Sequence, residues 1–288
     1  MKRFINVAAI QMEIRTLQVN INLQKAKRML EDALKEHKLD LVVFPEDCIT
    51  GPIPYNLEHA CDITSEAILF FRELAQKHRV YIVCGSFIRK EQEGYFNTSL
   101  LMDREGNIVL EYEKNNLWIP ERRYLTPGTS VPVVKTSIGT IGVVICWDLA
   151  FPEVFQELAL QGADIVCCPS YWTREDSGFL MKKYPDVNAE VTMVDTLCPA
   201  RALENEFLLI YANGANTAEI FLQTTKITQE QIGHTQICAP VYGTVSKLEH
   251  NQEGVIYYNY DRHLGLNAEN RYYLRRDRQK NLTDTMST

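Results

Sequence analysis

Short apolar runs alternate with stretches of helical period through the first third of the chain. Residues 5–12 predict a strand. Within residues 22–37, Leu23, Ala26, Met29, Leu30, Ala33 and Leu34 recur at helical spacing. Residues 39–44 are nearly all apolar, stop at Pro45 and predict a short strand. Helical period returns over 66–78 with Ala67, Leu69, Phe70, Leu74 and Ala75, and residues 80–88, with Cys84 and Gly85, predict a strand.

The pattern then changes. Residues 97–102, 108–112 and 131–136 predict strands with no helix between them, and the turn Asp103-Arg104-Glu105-Gly106-Asn107 makes the first two a hairpin. Residues 142–146 predict another strand, and 152–161 a helix opened by Pro152, which suits a first helical turn. Strands follow at 164–169, 207–212, 235–240 and 255–260, with a helix at 198–206. Such βα units flanking a hairpin-rich middle predict an α/β fold with two mixed sheets face to face and helices outside. Neither a linker nor an internal repeat divides the chain. The expected organisation is one domain over residues 1–270, followed by a polar tail or exchanged arm over 271–288.

Composition narrows the class. The chain has 288 residues, 45% hydrophobic and 23% charged, enough for a full core without disulfide staples. A net charge of −7 argues against nucleic acid as a partner, and the basic stretch 271–280 is interrupted by Asp277. The N-terminal apolar run is too short for a signal segment, and no run approaches the roughly 18 apolar residues of a membrane span. The expected location is cytoplasmic, with no membrane partner and with all eight cysteines reduced. No Cys-x-x-Cys or zinc-finger histidine pair occurs, so no structural metal is expected.

Three strand ends carry polar groups that a plain core does not explain. Glu46 follows the apolar run Leu41-Val42-Val43-Phe44-Pro45, at a sheet edge where α/β sites are built, although a helix cap or solvated loop would also suit it. Lys114 follows 108–112 and, alone, reads equally as a surface lysine. Cys146 ends Gly142-Val143-Val144-Ile145 and precedes Trp147-Asp148 and the helix at Pro152. That strand-to-helix turn is like a nucleophile elbow, the alternative being a buried packing cysteine.

Taken in order, Glu46, Lys114 and Cys146 resemble the Glu-Lys-Cys triad of the nitrilase superfamily of carbon–nitrogen hydrolases. The resemblance extends over about residues 5–260. It includes Phe44-Pro45-Glu46, Asn97, Thr126-Pro127-Gly128, Cys146-Trp147-Asp148 with Phe151-Pro152-Glu153, Gly162-Ala163-Asp164, Arg201-Ala202, Asn213 and Gly233-His234-Thr235. It implies a four-layer α-β-β-α sandwich and a homodimer or higher homo-oligomer. It implies Cys146 as nucleophile, Glu46 as proton carrier, and Lys114 with the Trp147 backbone N–H as oxyanion donors. Lys114 would also lower the cysteine pKa. Glu121, in Glu121-Arg122-Arg123-Tyr124, matches the family's second glutamate, though a surface carboxylate beside two arginines is the competing reading. Asp148 and Glu153 are implied scaffold residues, salt-bridged at a helix start.

The elbow Cys-Trp-Asp-x-x-Phe-Pro-Glu is similar to that of amidase and carbamoylase branches. The implied partner is a small amide, carbamoyl or nitrile compound, and the chemistry needs no cofactor. The favoured activity is amide or N-carbamoyl hydrolysis through a thioester. The alternatives are a nitrilase, a papain-like enzyme using His234, and an inactive scaffold on the same fold. Trp118, Tyr171, Trp172 and Phe151 are candidate pocket residues. The long connection 171–197 is expected to form the rim, with Arg174 or a nearby lysine holding a substrate carboxylate.

Overall fold

Period-two burial on the first strand sets the layering of the computed structural model, which describes residues 2–222 and 225–285. In β1 (Phe4–Glu13), Ile5, Val7 and Ala9 enter one apolar cluster, while Ala8, Ile10 and Met12 enter another. Successive strand side chains leave opposite faces, so one strand lines two cores. The second of these cores is closed by α1 (Val19–Glu36) and α2 (Glu66–His78), which contribute Leu23, Ala26 and Leu30, and Ile68, Phe71 and Leu74. The first lies between two sheets.

The first sheet continues with β2 (Leu41–Val43), β3 (Tyr81–Val83), β4 (Phe87–Lys90), β5 (Tyr95–Met102) and β6 (Ile108–Glu113). β1, β2 and β3 run parallel. The chain then crosses to the second sheet with β7 (Val133–Thr136), β8 (Gly139–Val143), β9 (Ile165–Pro169) and β10 (Leu208–Ala212), of which β8, β9 and β10 are parallel. Their outer face carries α3 (Pro152–Leu160) and, beyond α4 (Phe179–Lys183), α5 (Ala189–Asn205). The short β11 (Gly214–Ala215) returns to β1, and β12 (Thr217–Leu222) pairs with β13 (Thr225–Glu230) as a separate hairpin. β14 (Gln236–Ala239) and β15 (Gly243–Lys247) complete the second sheet, and β16 (Gly254–Asp261) lies antiparallel to β1. The layers run helix, sheet, sheet, helix, the sandwich implied by the sequence.

Several elements differ from the sequence reading. The strand expected over 80–88 breaks into β3 and β4 because Gly85 takes φ +73°. The helix expected at 198–206 begins at Ala189, capped by the Asn188 side chain, which accepts from Val191 N at 3.2 Å. Its early turns mix Glu190, Thr192 and Asp195 with apolar residues, which blurs the helical period. The hairpin of β12 and β13 and the strand β15 were not expected, since their alternation is short and largely polar. The polar segment after residue 270 forms the end of α6 (His263–Tyr272) and then α7 (Leu274–Thr285). Arg275 donates to the carbonyls of Ala163, Asn205 and Glu206 at 2.8–3.0 Å, so α7 is fastened to its own chain. Residues 286–288 of the expected arm lie outside the described residues. No described helix is long and apolar enough to cross a membrane.

Gly85 matters beyond the break it makes. A Cβ there would lie 2.0 Å from the Pro45 carbonyl oxygen, in the loop that carries Glu46. Gly162 has a similar φ, +83°, but nothing within 4 Å of a Cβ. Gly162→Ala is therefore expected to cost only the left-handed strain of about 1 kcal/mol. Gly85→Ala adds a backbone collision and is expected to cost at least about 2 kcal/mol more. Urea unfolding of the two variants checks the difference, and equal losses would remove the close approach as a constraint on the Glu46 loop.

Candidate active site

The loops after β2, β6 and β8 bring Glu46, Lys114 and Cys146 to one cavity of about 530 Å³, which Glu121 also lines. Pro45 has no N–H for a ladder, so the chain leaves the sheet at Glu46, whose own N–H donates to the Ser170 carbonyl at 3.2 Å. Lys114 remains fastened beyond β6: its N–H donates to Asn97 O at 2.8 Å and its carbonyl accepts from Gly128 N at 3.0 Å. Cys146 opens a 3-10 turn, Cys146–Ala150, at φ +46°, a left-handed conformation uncommon for a residue with a Cβ.

Asp148 holds that turn. It is fully buried, and it accepts from Ile145 N at 2.9 Å, Asn116 N at 2.9 Å, Asn116 Nδ2 at 3.0 Å and the Tyr112 hydroxyl at 2.7 Å. Its partners are neutral donors, which corrects the expected salt bridge. Tyr112 and Asn116 flank Lys114 in sequence, so one carboxylate ties the Cys146 turn to the lysine's segment. Arg201 supports the turn from α5, donating to Leu149 O at 3.1 Å and pairing with Glu204 at 2.9 Å.

Lys114 Nζ lies 2.9 Å from Glu46 Oε1 and 2.8 Å from Glu121 Oε2. Asn97 Nδ2 donates to both carboxylates, at 2.8 and 3.1 Å. Glu46 Oε2 accepts from Tyr171 N at 2.7 Å, and Glu121 Oε2 from Trp118 N at 2.7 Å. Glu121 is thus a buried member of the network and not a surface carboxylate. Burial and then the charge of Glu121 push the Glu46 carboxyl up, against the pull of Lys114. Burial pulls the Lys114 ammonium down, but Glu121 and Glu46 outweigh it and hold it well above its ordinary range. Burial and then Glu46 push the Cys146 thiol well up, while Lys114 pulls it down. The lowering expected from Lys114 is present in direction, but burial and Glu46 outweigh it.

Aromatic side chains form one wall. Trp147 packs edge-on against Trp118 at 4.4 Å between centroids and against Trp172 at 5.6 Å. Trp118, Trp147, Tyr171 and Trp172 line the cavity, whereas Phe151 packs on Trp147 at 6.3 Å and does not. Trp172 is oriented by its Nε1, which donates to Glu190 Oε2 at 2.5 Å. Arg174 is also outside the lining: it pairs with Glu230 at 3.7 Å, because the 3-10 turn Arg174–Ser177 faces Glu175 and Asp176 inward instead. The cation that does line the cavity besides Lys114 is the exposed Arg123.

The sequence reading missed Asp47, Arg123, Tyr124 and the hairpin residues Ile220 and Ile227 as cavity lining. Asp47 and Tyr124 adjoin assigned site segments, and that adjacency was the available signal. None of the lining residues is a histidine; His234 sits 3.2 Å from the Asp195 carboxylate, outside the cavity. Asp195, His234 and Glu249 come close enough to share a metal ion, but the Lys247 ammonium already bonds Asp195 at 3.1 Å and Glu249 at 2.8 Å. Of the other cysteines, Cys48, Cys84, Cys167, Cys168, Cys198 and Cys238 are buried and Cys61 partly so.

The family profile described as Carbon-nitrogen hydrolase matches residues 6–265. A probable nitrilase of Schizosaccharomyces pombe is 30% identical over 262 residues, covering 89% of this chain and 88% of the relative. A 2-oxoglutaramate amidase of Bacillus subtilis is 26% identical, over 87% and 88% of the two chains. Among solved structures, a carbon-nitrogen hydrolase from Helicobacter pylori superposes with a TM-score of 0.83 at 23% identity, covering 99% of this chain and 98% of that one.

Removing the Asp148 carboxylate would strand four donors at the elbow. Asp148→Ala is expected to lower stability by about 3 kcal/mol or more, and Tyr112→Phe, which removes one of the four, by about 1 kcal/mol. Chemical denaturation gives both values. If the alanine variant lost no more than the phenylalanine variant, the clamp would not be what holds this turn.

Proposed function

The chain belongs to the carbon–nitrogen hydrolases, and from that membership we propose that it hydrolyses a small amide or N-carbamoyl compound through a thioester on Cys146. The observation that carries this reading is the Lys114 ammonium held between Glu46 and Glu121 in the cavity that Cys146 lines. The amidase activity named for the Bacillus relative agrees with it.

The substrate carbonyl carbon is attacked by Sγ of Cys146 while Glu46 takes the thiol proton. A thiol pushed upward by burial needs that base, and a carboxyl that is itself raised accepts a proton more readily than an ordinary one. An ammonium has three N–H donors; two of Lys114's serve the carboxylates, and the third is available to the oxyanion. The Trp147 N–H supplies the second oxyanion donor. Glu46 then passes its proton to the departing nitrogen, the C–N bond breaks, and ammonia or amine leaves. Water, deprotonated by Glu46, attacks the thioester; the acid departs and the proton returns to sulfur. Glu121 holds Lys114 in line throughout. Each step is a proton transfer or a displacement at the acyl carbon, performed by these side chains and water.

Cys146→Ala, Glu46→Gln and Lys114→Ala are each expected to lower kcat by at least about 100-fold on any amide that the native enzyme turns over. Intact-mass measurement during turnover is expected to show an acyl adduct that Cys146→Ala lacks. Full activity in all three variants, or an adduct on another residue, would overturn the mechanism.

The pH profile offers a separate check. Glu46 must be ionised to act as base, and its carboxyl is raised, so kcat/KM is expected to fall with falling pH at a higher pH than an ordinary carboxylate would give. Glu121 contributes to that rise. Glu121→Gln removes a neighbouring negative charge and leaves Lys114, so the acidic limb is expected to move to lower pH. Movement to higher pH would contradict the assigned roles.

A further inference from the structure

We propose that Asp47, together with Tyr171 and Tyr124, forms a recognition site for a positively charged nitrogen on the substrate. The compound cleaved is then an amide with a protonated amine at its far end. This rests on the amide-hydrolase reading above and adds the chemical class of the substrate.

Asp47 directly follows Glu46 and lines the same cavity. Its main chain is fixed: its N–H donates to the Ser86 hydroxyl at 3.2 Å, and its carbonyl accepts from Gly51 N at 2.7 Å. Its side chain is different. Asp47 is only 5% exposed, yet Oδ1 has no hydrogen-bond partner among the described residues. A buried carboxylate is ordinarily paired, because leaving it alone forfeits its hydration with no return. The Tyr171 hydroxyl, at 9% residue exposure, is likewise buried, with the Gln231 side chain as its polar neighbour. Both belong to cavity-lining residues, and neither is used in the hydrolytic steps.

The surrounding charges say what would satisfy them. Lys114 gives two of its N–H donors to Glu46 and Glu121 and keeps the third for the oxyanion, so none is left for Asp47. Glu175 and Asp176 also line the cavity, and the remaining cation in the lining is Arg123, which is exposed. The surroundings already disfavour negative charge at Asp47, so an anionic group there would meet the same penalty, whereas a cation would hold the Asp47 carboxylate ionised. A cation would meet a carboxylate and two tyrosines, whose rings and hydroxyl oxygens suit an ammonium. Burial, then Glu46 and Glu121, push the Asp47 carboxyl well up, and burial followed by Asp47 pushes the Tyr171 phenol up. Asp47 also contributes to the raised Tyr124 phenol, after burial and Glu121. Asp47 thus acts on both phenols, and all three groups line the one cavity.

The test uses three amides of matched chain: 4-aminobutanamide, its neutral isostere pentanamide, and the anionic 4-carbamoylbutanoate. The native enzyme is expected to favour 4-aminobutanamide over the other two by about tenfold or more in kcat/KM. Asp47→Asn preserves size and suits the left-handed backbone at φ +53°. It is expected to reduce the preference for the amine over pentanamide about tenfold, chiefly through KM. A native preference for the anionic amide, which would point to Arg123, overturns the proposal; so does an unchanged preference in Asp47→Asn. Turnover of none of the three would count against the amide-hydrolase reading. Cation recognition is then decided without turnover, by protection of Cys146 from iodoacetamide, read by peptide mass. n-Butylammonium is expected to protect the native enzyme more than n-butanoate does, and equal or reversed protection overturns the proposal. Circular dichroism establishes whether Asp47→Asn is folded; if it is not, the native preference and the protection experiment decide.

Discussion

A buried ammonium between two buried carboxylates is the constraint around which this protein is organised. Lys114, Glu46 and Glu121 come from three separate segments, and each would be costly to bury without the other two. Their pairing therefore requires β2, β6 and the 3-10 turn Glu121–Arg123 to be in register at once. Asn97, from β5, bridges the two carboxylates and makes the requirement stricter. With both carboxylates ionised, the trio carries one excess negative charge, and that excess favours the protonated form of the neighbouring Cys146. The arrangement disfavours a free thiolate and keeps a carboxylate in the same cavity.

Asp148 extends the constraint from one sheet to the other. Tyr112 belongs to β6 of the first sheet, while Ile145 and Asp148 follow β8 of the second. The carboxylate that shapes the Cys146 turn is therefore also a fastener between the layers. Sheet packing supplies most of the cohesion, through the apolar cluster that β1, β8, β9 and β10 share. The polar clamp fixes where that cohesion places one sulfur atom relative to one ammonium.

Much of this was legible in the sequence because strand ends leave simple signatures. An apolar run that stops at Pro45 announces where Glu46 leaves the sheet, and a run that passes into Cys146-Trp147-Asp148 before Pro152 announces a turn. Layering was legible from βα order. What escaped depended on contacts between distant segments. Arg174 looked like a pocket cation, but the capping arrangement of Thr173 and Asp176 turns the acidic residues inward and leaves the arginine to Glu230. Asp47 gave no periodic signal, because what sets it apart is one buried carboxylate oxygen, Oδ1, without a hydrogen-bond partner among the described residues. The hairpin of β12 and β13 has mostly polar, β-branched positions, so nothing in its pattern announced Ile220 and Ile227 as a cavity wall.

That hairpin has a consequence for how such a protein can diversify. β12 and β13 pair with each other and with neither large sheet, yet Ile220 and Ile227, opposite one another in register, face the reaction space. Glu46, Lys114 and Cys146 are anchored elsewhere, just beyond the ends of strands whose displacement would disturb the core. Substitutions in the hairpin can therefore reshape the cavity while leaving Glu46, Lys114 and Cys146 in place. A lineage could explore new substrates along this ribbon in small steps, each one retaining a working reaction centre.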